Sequence, residues 1–248
     1  RRPEQIARPV RQLVPPGVEL VEAEARAVDL THRLVETSAQ AISFDHLIVA
    51  LGAELAPEAV PGLTDGGHTF YTFDGATRLR DALAGFSGGR IAVVVAGVPY
   101  KCPAAPHEGA MLIADYFIRR GLREKIELHL FTPEPQPMPV AGPALGDAVR
   151  QMIESRGIAF HALHKLIAVN PSARELRFEG KDPVPYDLLV AIPPHRGPRL
   201  ARESGLANDA GWIPVDARTL LTRHENLYAI GDAAAISIPG RWKPDVPL

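Results

Sequence analysis

One pattern occurs twice in the chain and constrains its fold more than any other feature. Phe44-Asp45-His46-Leu47-Ile48-Val49-Ala50-Leu51-Gly52 and Tyr186-Asp187-Leu188-Leu189-Val190-Ala191-Ile192-Pro193-Pro194 share an order: an aromatic residue, an Asp, a Leu, then an apolar run that stops at a Gly or Pro break. Apolar runs bounded by breakers predict strands buried on both faces of a parallel sheet. Each copy follows a cluster of short strand patterns, at residues 18–21, 25–30 and 33–36 for the first and at 158–161, 164–169 and 175–178 for the second. Ahead of the second cluster come a strand at 91–96, a long loop to Pro106, a helix over 108–120, a strand at 126–131 and an amphipathic helix over 142–156. Ahead of the first cluster there is only a short helical stretch at 7–13, and a helix at 74–84 joins the copies with Leu79, Ala82 and Leu83 inward.

An internal repeat is one folding unit used twice. The pattern therefore predicts an α/β fold with two Rossmann-like, three-layer nucleotide-binding domains in tandem, the first discontinuous and incomplete. Residues 1–88 form the first part of the incomplete domain, 89–211 the second domain, and 212–248 the return to the first. The missing opening of the first copy makes the chain read as a fragment lacking both ends.

Composition removes several classes of function. Apolar residues make up 46% and charged residues 23%, enough to build a core. A net charge of −2 argues against a broad nucleic-acid surface. The longest apolar run, residues 91–98, falls well short of the roughly 20 residues that span a bilayer. The nine histidines lack metal-ligand spacing, no Cys-x-x-Cys or His-Glu-x-x-His occurs, and no metal site is expected. Cys102 is the one cysteine, so no disulfide closes within these residues.

Two segments carry chemistry. Leu227-Tyr228-Ala229-Ile230-Gly231-Asp232-Ala233 runs from a buried strand into Gly-Asp and then a small-residue helix start. Gly231 permits close backbone approach to a ligand. Asp232 can accept hydrogen bonds from hydroxyls, or it can simply cap a helix. The second segment, 96–108, stands where a nicotinamide-binding loop would need glycines, yet it holds one Gly and three Pro, and proline donates no N–H. Cys102 in this loop lies beside Lys101 and before a helix, a setting that favours thiolate in general; the alternative is a buried, inert thiol.

The Gly231-Asp232 segment and residues 44–52 resemble the flavin-contacting motifs of the pyridine nucleotide-disulfide oxidoreductases, with Leu51 where those proteins usually have Thr. The resemblance implies FAD as cofactor, held by Ala25, Ala50, Gly52, Gly231 and Asp232, with Asp232 on the ribityl chain and Ala25 near the adenine. Lys101-Cys102-Pro103-x-x-Pro106-x-Glu108 resembles the loop of sulfide:quinone oxidoreductases and of the flavoprotein subunit of flavocytochrome c sulfide dehydrogenases. By that resemblance Cys102 is half of a redox pair whose partner lies after Leu248 and Glu108 handles protons, while Lys101 reads from its position as a thiolate counter-ion. Glu108 also suits a helix first turn, and Lys101 a solvated surface. Residues 70–74 lack the additional cysteine of the three-cysteine sulfide:quinone enzymes, so the two-cysteine arrangement fits better. Thr132-Pro133-Glu134-Pro135 and Pro193-Pro194-His195-Arg196-Gly197 also resemble family segments; His195 and Arg196 read as a solvated turn, and His107 as an ordinary helical histidine.

The resemblance spans nearly the whole chain. It implies oxidation of sulfide or a related sulfur nucleophile, with electrons passing through flavin to a quinone or cytochrome. Peripheral membrane contact would come from a segment after Leu248, and the compartment stays open between cytoplasm and periplasm. Two other classes remain: an NAD(P)H-dependent flavin reductase resembling type II NADH dehydrogenases, and a non-catalytic flavin-fold binding protein.

Overall fold

A computed structural model describes residues 5–237; the end of the expected return segment, 238–248, lies outside them. The chain divides into two compact units, Arg1–His46 and Leu47–Leu248.

The first unit holds an antiparallel meander of β1 (Ala25–Asp29), β2 (Leu34–Thr37) and β3 (Ala41–Ser43). Asp29 closes the first turn by accepting from the N–H groups of Thr31 and His32. The expected strand at 18–21 does not form, and the helix at 7–13 reduces to one 3₁₀ turn, Val10–Gln12. Pro9, Pro15 and Pro16 withhold backbone donors there, and Ile6, Val10 and Leu13 stay exposed, so no burial supports a helix.

The second unit runs β4 (Leu47–Val49), β5 (Glu54–Leu55), α1 (Leu63–Gly66), α2 (Phe73–Gly85), β6 (Gly89–Val95), α3 (Ala105–Arg119), β7 (Ile126–Phe131), α4 (Pro143–Glu154), β8 (Ile158–His161), β9 (Leu166–Asn170), β10 (Glu175–Phe178), β11 (Val184–Pro185), β12 (Leu188–Ile192), β13 (His195–Arg196), α5 (Arg199–Glu203), β14 (Ile213–Val215), β15 (Leu227–Ala229) and β16 (Ala234–Ile236). Its centre is a four-stranded parallel sheet in the order β12-β6-β7-β8. Alternate residues of β6 point to opposite faces. Ile91, Val93 and Val95 join Leu79 of α2, Ile113 and Phe117 of α3 and Ile153 of α4 in one core. Ala92 and Val94 join Leu63 of α1 with Val169, Leu176 and Phe178 of the β9-β10-β11 meander in the other. Helices, parallel sheet and antiparallel sheet thus form the three layers expected of an α/β nucleotide fold.

The helices bury less than their apolar content suggests. Ala110, Ile113, Ala114 and Phe117 of α3 are buried, but Leu112 and Ile118 are exposed. On α4, Ile153 is fully buried while Leu145 and Met152, which share the helix's apolar periodicity with it, are exposed. The first copy of the repeat departs further. The run at 44–52 yields three strand residues, paired on one edge with β15, and Ile48 is 62% exposed. With nothing described against that face, β4 is not the doubly buried strand its composition predicts.

Candidate functional site

β4 and β15 run parallel, with Ile48 opposite Tyr228, and the Ile230 N–H donates to the Val49 carbonyl at 3.0 Å. Their C-terminal ends deliver Ala50–Gly52 and Gly231-Asp232 to the same edge, where open α/β sheets bind ligands. Gly52 (φ +67°) and Gly231 (φ +69°) have left-handed backbone that disfavours a side chain, and apart from the adjoining residues no atom of the described residues lies within 4 Å of where either Cβ would stand. Ala50 and Asp232 are exposed at this edge. The helix expected after Gly231 does not form. One 3₁₀ turn, Gly231–Ala233, leads into β16, which pairs with β14. Asp232 is therefore no α-helix cap.

β6 delivers the second segment. Gly97 packs closely on Pro194: a Cβ there would stand 3.1 Å from its ring. Tyr100 is buried and donates its hydroxyl to Glu134 Oε2 at 2.8 Å; Thr132 Oγ1 donates to the same oxygen at 3.1 Å. Burial raises the pKa of the Glu134 carboxyl and, most strongly, that of the Tyr100 phenol. The Tyr71 hydroxyl donates to the Lys101 carbonyl at 2.7 Å and fixes the next stretch of loop. Cys102 follows with φ +58°, a left-handed conformation uncommon for a residue with a side chain, and is exposed. Its carbonyl accepts from Ala105 N–H, the first residue of α3, at 2.9 Å. The thiol thus stands outside the core, unlike an inert buried cysteine.

A cleft of about 160 Å³ lies between these segments, and Tyr100, Lys101, His195, Trp212, Gly231 and Asp232 form most of its wall. The structure thus brings Lys101, neighbour of Cys102, together with the Gly231-Asp232 motif. Ala50 and Gly52 precede Ala53, which completes one side. Glu108 lies elsewhere, in an apolar groove with Phe70, Leu79 and Leu112. Ala25 opens β1 in the first unit.

Sequence reasoning missed three residues. His195 is 9% exposed, not a solvated turn residue, because β13 pairs with β5 and draws it inward. Its Nδ1 lies 2.8 Å from the Pro193 carbonyl, and Tyr71 meets its ring edge-on at 5.2 Å between centroids. Only Arg196 of the pair turns to solvent, bridging Glu54 at 3.1 Å and Glu58 at 2.6 Å. Trp212 and Tyr71 belong to no motif; their roles arise from tertiary packing. His107 is buried on α3, and neither ring nitrogen has a hydrogen-bond partner among the described residues.

Comparison with known proteins follows this geometry. The family described as pyridine nucleotide-disulphide oxidoreductase matches residues 5–244. The chain is 30% identical to a mitochondrial sulfide:quinone oxidoreductase of Mus musculus, over 75% of this chain and 44% of that protein. It is 41% identical to an NADH dehydrogenase-like protein of Mycobacterium tuberculosis, over 90% of this chain and 57% of that protein. Its fold matches the structure of the sulfide:quinone oxidoreductase from the hyperthermophilic bacterium Aquifex aeolicus with a TM-score of 0.76 at 22% identity, covering 92% of this chain and 55% of that one. The chain spans about half the length of the curated relatives it matches. With a family match over nearly its whole length and the three-layer fold to go with it, the chain belongs to the pyridine nucleotide-disulphide oxidoreductases, a family of flavin-dependent oxidoreductases.

Proposed function

We propose that the chain is part of an FAD-dependent enzyme that oxidises sulfide or a related sulfur nucleophile through Cys102 and passes the electrons to a quinone or a cytochrome. The observation that carries this reading is the cleft in which Lys101, beside Cys102, faces Gly231 and Asp232. Residues 1–88 and 212–248 are assigned to the flavin domain, and 89–211 to the second domain.

The residues present fit a flavin dinucleotide. Gly52 and Gly231 leave open backbone at one sheet edge, and the exposed Asp232 carboxylate suits the hydroxyls of a ribityl chain. Ala50 lines that edge, and Ala25 is assigned to the adenine end. When bound, the flavin supplies a two-electron acceptor. The chain supplies the rest. Tyr71 anchors the Lys101 carbonyl, and the left-handed backbone at Cys102 turns its thiol outward. In the oxidised pair the sulfur nucleophile bonds to Cys102 as the disulfide breaks, the partner cysteine leaves as thiolate with the S–S electron pair that the flavin would accept, and the Lys101 ammonium favours the anionic sulfur beside it. Glu108, in its separate groove, is assigned to proton traffic at the start of α3.

An NADH-dependent reductase is the second reading, favoured by the 41% identity to an NADH dehydrogenase-like protein. The loop argues against it. Gly97 packs on Pro194, Tyr100 is buried, and Pro106 and the Glu108 carboxylate occupy the first turn of α3 where a pyrophosphate would sit. Anaerobic stopped-flow mixing of the full-length protein separates the readings. Sulfide is expected to bleach the flavin, and Cys102→Ser to slow that step by at least about a thousandfold, the order of loss on removing a covalent nucleophile. Rapid bleaching by NADH with none by sulfide, or an unchanged rate in Cys102→Ser, overturns the proposal.

A further inference from the structure

His195 lines the cleft, and the reading above leaves it without a task. Its surroundings are specific. The Pro193 carbonyl can only accept, so Nδ1, 2.8 Å away, is the nitrogen that carries hydrogen. Nε2 therefore holds the lone pair. That atom is buried and has no hydrogen-bond partner among the described residues, while the ring itself forms part of the cleft wall. A desolvated acceptor without a partner is an unfavourable arrangement unless something donates to it. We infer that His195 is the proton acceptor of this cleft, taking at Nε2 the proton of a thiol or hydrosulfide that enters beside Lys101. The inference rests on the sulfur-oxidising reading.

The other candidate bases are either hydrogen-bonded already or placed away from the cleft. Glu134 Oε2 accepts from both Tyr100 and Thr132. His107 sits under Phe160 in the helical layer, and Glu108 lines the separate apolar groove. The charged and titratable groups facing His195 are Lys101 and Tyr100 from the β6–α3 loop, Asp232 from the turn after β15 and Tyr71 ahead of α2. Burial, and then the Lys101 ammonium, lower the ring's pKa from its ordinary value; the Pro193 hydrogen bond and Asp232 act in the opposite direction. Burial, the largest of these influences, favours the neutral ring. Protonation breaks the S–H bond of the substrate and forms an N–H bond at Nε2. The new imidazolium keeps its Nδ1 bond to Pro193 and faces Asp232, while Lys101 faces the sulfur anion. No electrons change hands in this step.

The test uses the full-length flavoprotein. In His195→Gln, sulfide-dependent flavin reduction near neutral pH is expected to slow about a hundredfold, the scale of general-base contributions. The acid limb of the wild-type pH–rate profile should vanish, and added imidazole should restore part of the rate to His195→Ala. A rate within about twofold of wild type with the acid limb unmoved overturns the inference and leaves the sulfur reading intact. Reduction by NADH alone, or by sulfide equally well in Cys102→Ser, overturns the reading and the inference with it. A measurement on the unaltered protein guards against a misfolded variant: long-range proton–nitrogen correlation spectra should show Nδ1 protonated and Nε2 bare. The opposite tautomer overturns the inference.

Discussion

Val190 on β12 and Ile48 on β4 occupy the same place in the repeated pattern, yet Val190 is fully buried and Ile48 is 62% exposed. Both strands are parallel-paired and both are apolar. The difference lies in their neighbours. β12 lies beside β6, with the helical layer packed on one face and the meander on the other. β4 has β15 on one edge and an open face at Ile48. An apolar run therefore specifies a strand, while burial is decided by what the rest of the chain lays against it. The two copies still converge. β5, after the first break, pairs with β13, after the second, with Leu55 opposite His195. The shared feature that matters for function is this meeting of strand ends, which sets Ala53 and His195 into one cleft wall.

The largest expected effect tests this contrast directly. Val190→Asp places a carboxylate among Val93, Ile192 and Phe117 and is expected to cost more than about 4 kcal/mol, enough to unfold the second unit. Ile48→Asp, at the matching position, is expected to stay within about 0.5 kcal/mol. Urea denaturation followed by far-ultraviolet dichroism measures both. Equal losses would mean that the two strands share one environment and would break the comparison.

How much was legible follows from the same contrast. β6 and β12 were readable as apolar runs bounded by Gly or Pro, β7 by its alternation of apolar and polar residues and β8 by the Gly157 break ahead of it. Gly231-Asp232 and Lys101-Cys102 were readable as local motifs, and the fold brings Lys101 to Gly231-Asp232. His195 was not, because its burial comes from β13 pairing with β5, a contact across some 140 residues of chain. Trp212 and Tyr71 carried no signal at all. Leu112, Ile118, Leu145 and Met152 depart in the other direction: they are apolar yet exposed, because helical apolar content is richer than the face the sheet can cover.

A second test concerns how dry the helical layer is. His107 lies in the first turn of α3, 1% exposed and 6.4 Å from the ring of Phe160. Burial pushes its pKa from 6.5 down to about 4. The unfolded chain takes up this proton near the ordinary value and the folded chain does not until about 4, so stability is present above pH 6.5 and is lost as pH falls through that window. The loss amounts to about 3 kcal/mol. His107→Phe should flatten the decline in urea midpoint across this range. A residual slope is expected from His161 at the sheet edge, whose pKa burial and the neighbouring His129 also lower to about 4. A decline as steep in the variant as in the wild type would show that water reaches this layer, and that the helical core is less sealed than the burial of β12 implies.

The smallest effect probes the junction of the two repeats. Arg196 bridges Glu54 and Glu58 across the β5–β13 pair, and Glu54 also accepts from the Arg199 N–H at 2.7 Å and lies 3.5 Å from Arg202. These carboxylates and guanidinium groups are close to half exposed, where ion pairs contribute little and salt screens them. Arg196→Ala removes two pairs but leaves Glu54 with Arg199 and Arg202, and leaves the backbone pairing of His195 with Leu55 intact. The thermal midpoint is therefore expected to fall slightly at low ionic strength and to match wild type in about 1 M salt, where the screening length is about 3 Å. The His195-dependent acid limb should be unmoved, because that ring is fixed by Pro193 and Tyr71 rather than by its charged neighbour. A large loss that persists in high salt would mean that the ion pairs, and not the strand ends themselves, hold the two copies of the repeat together at the cleft.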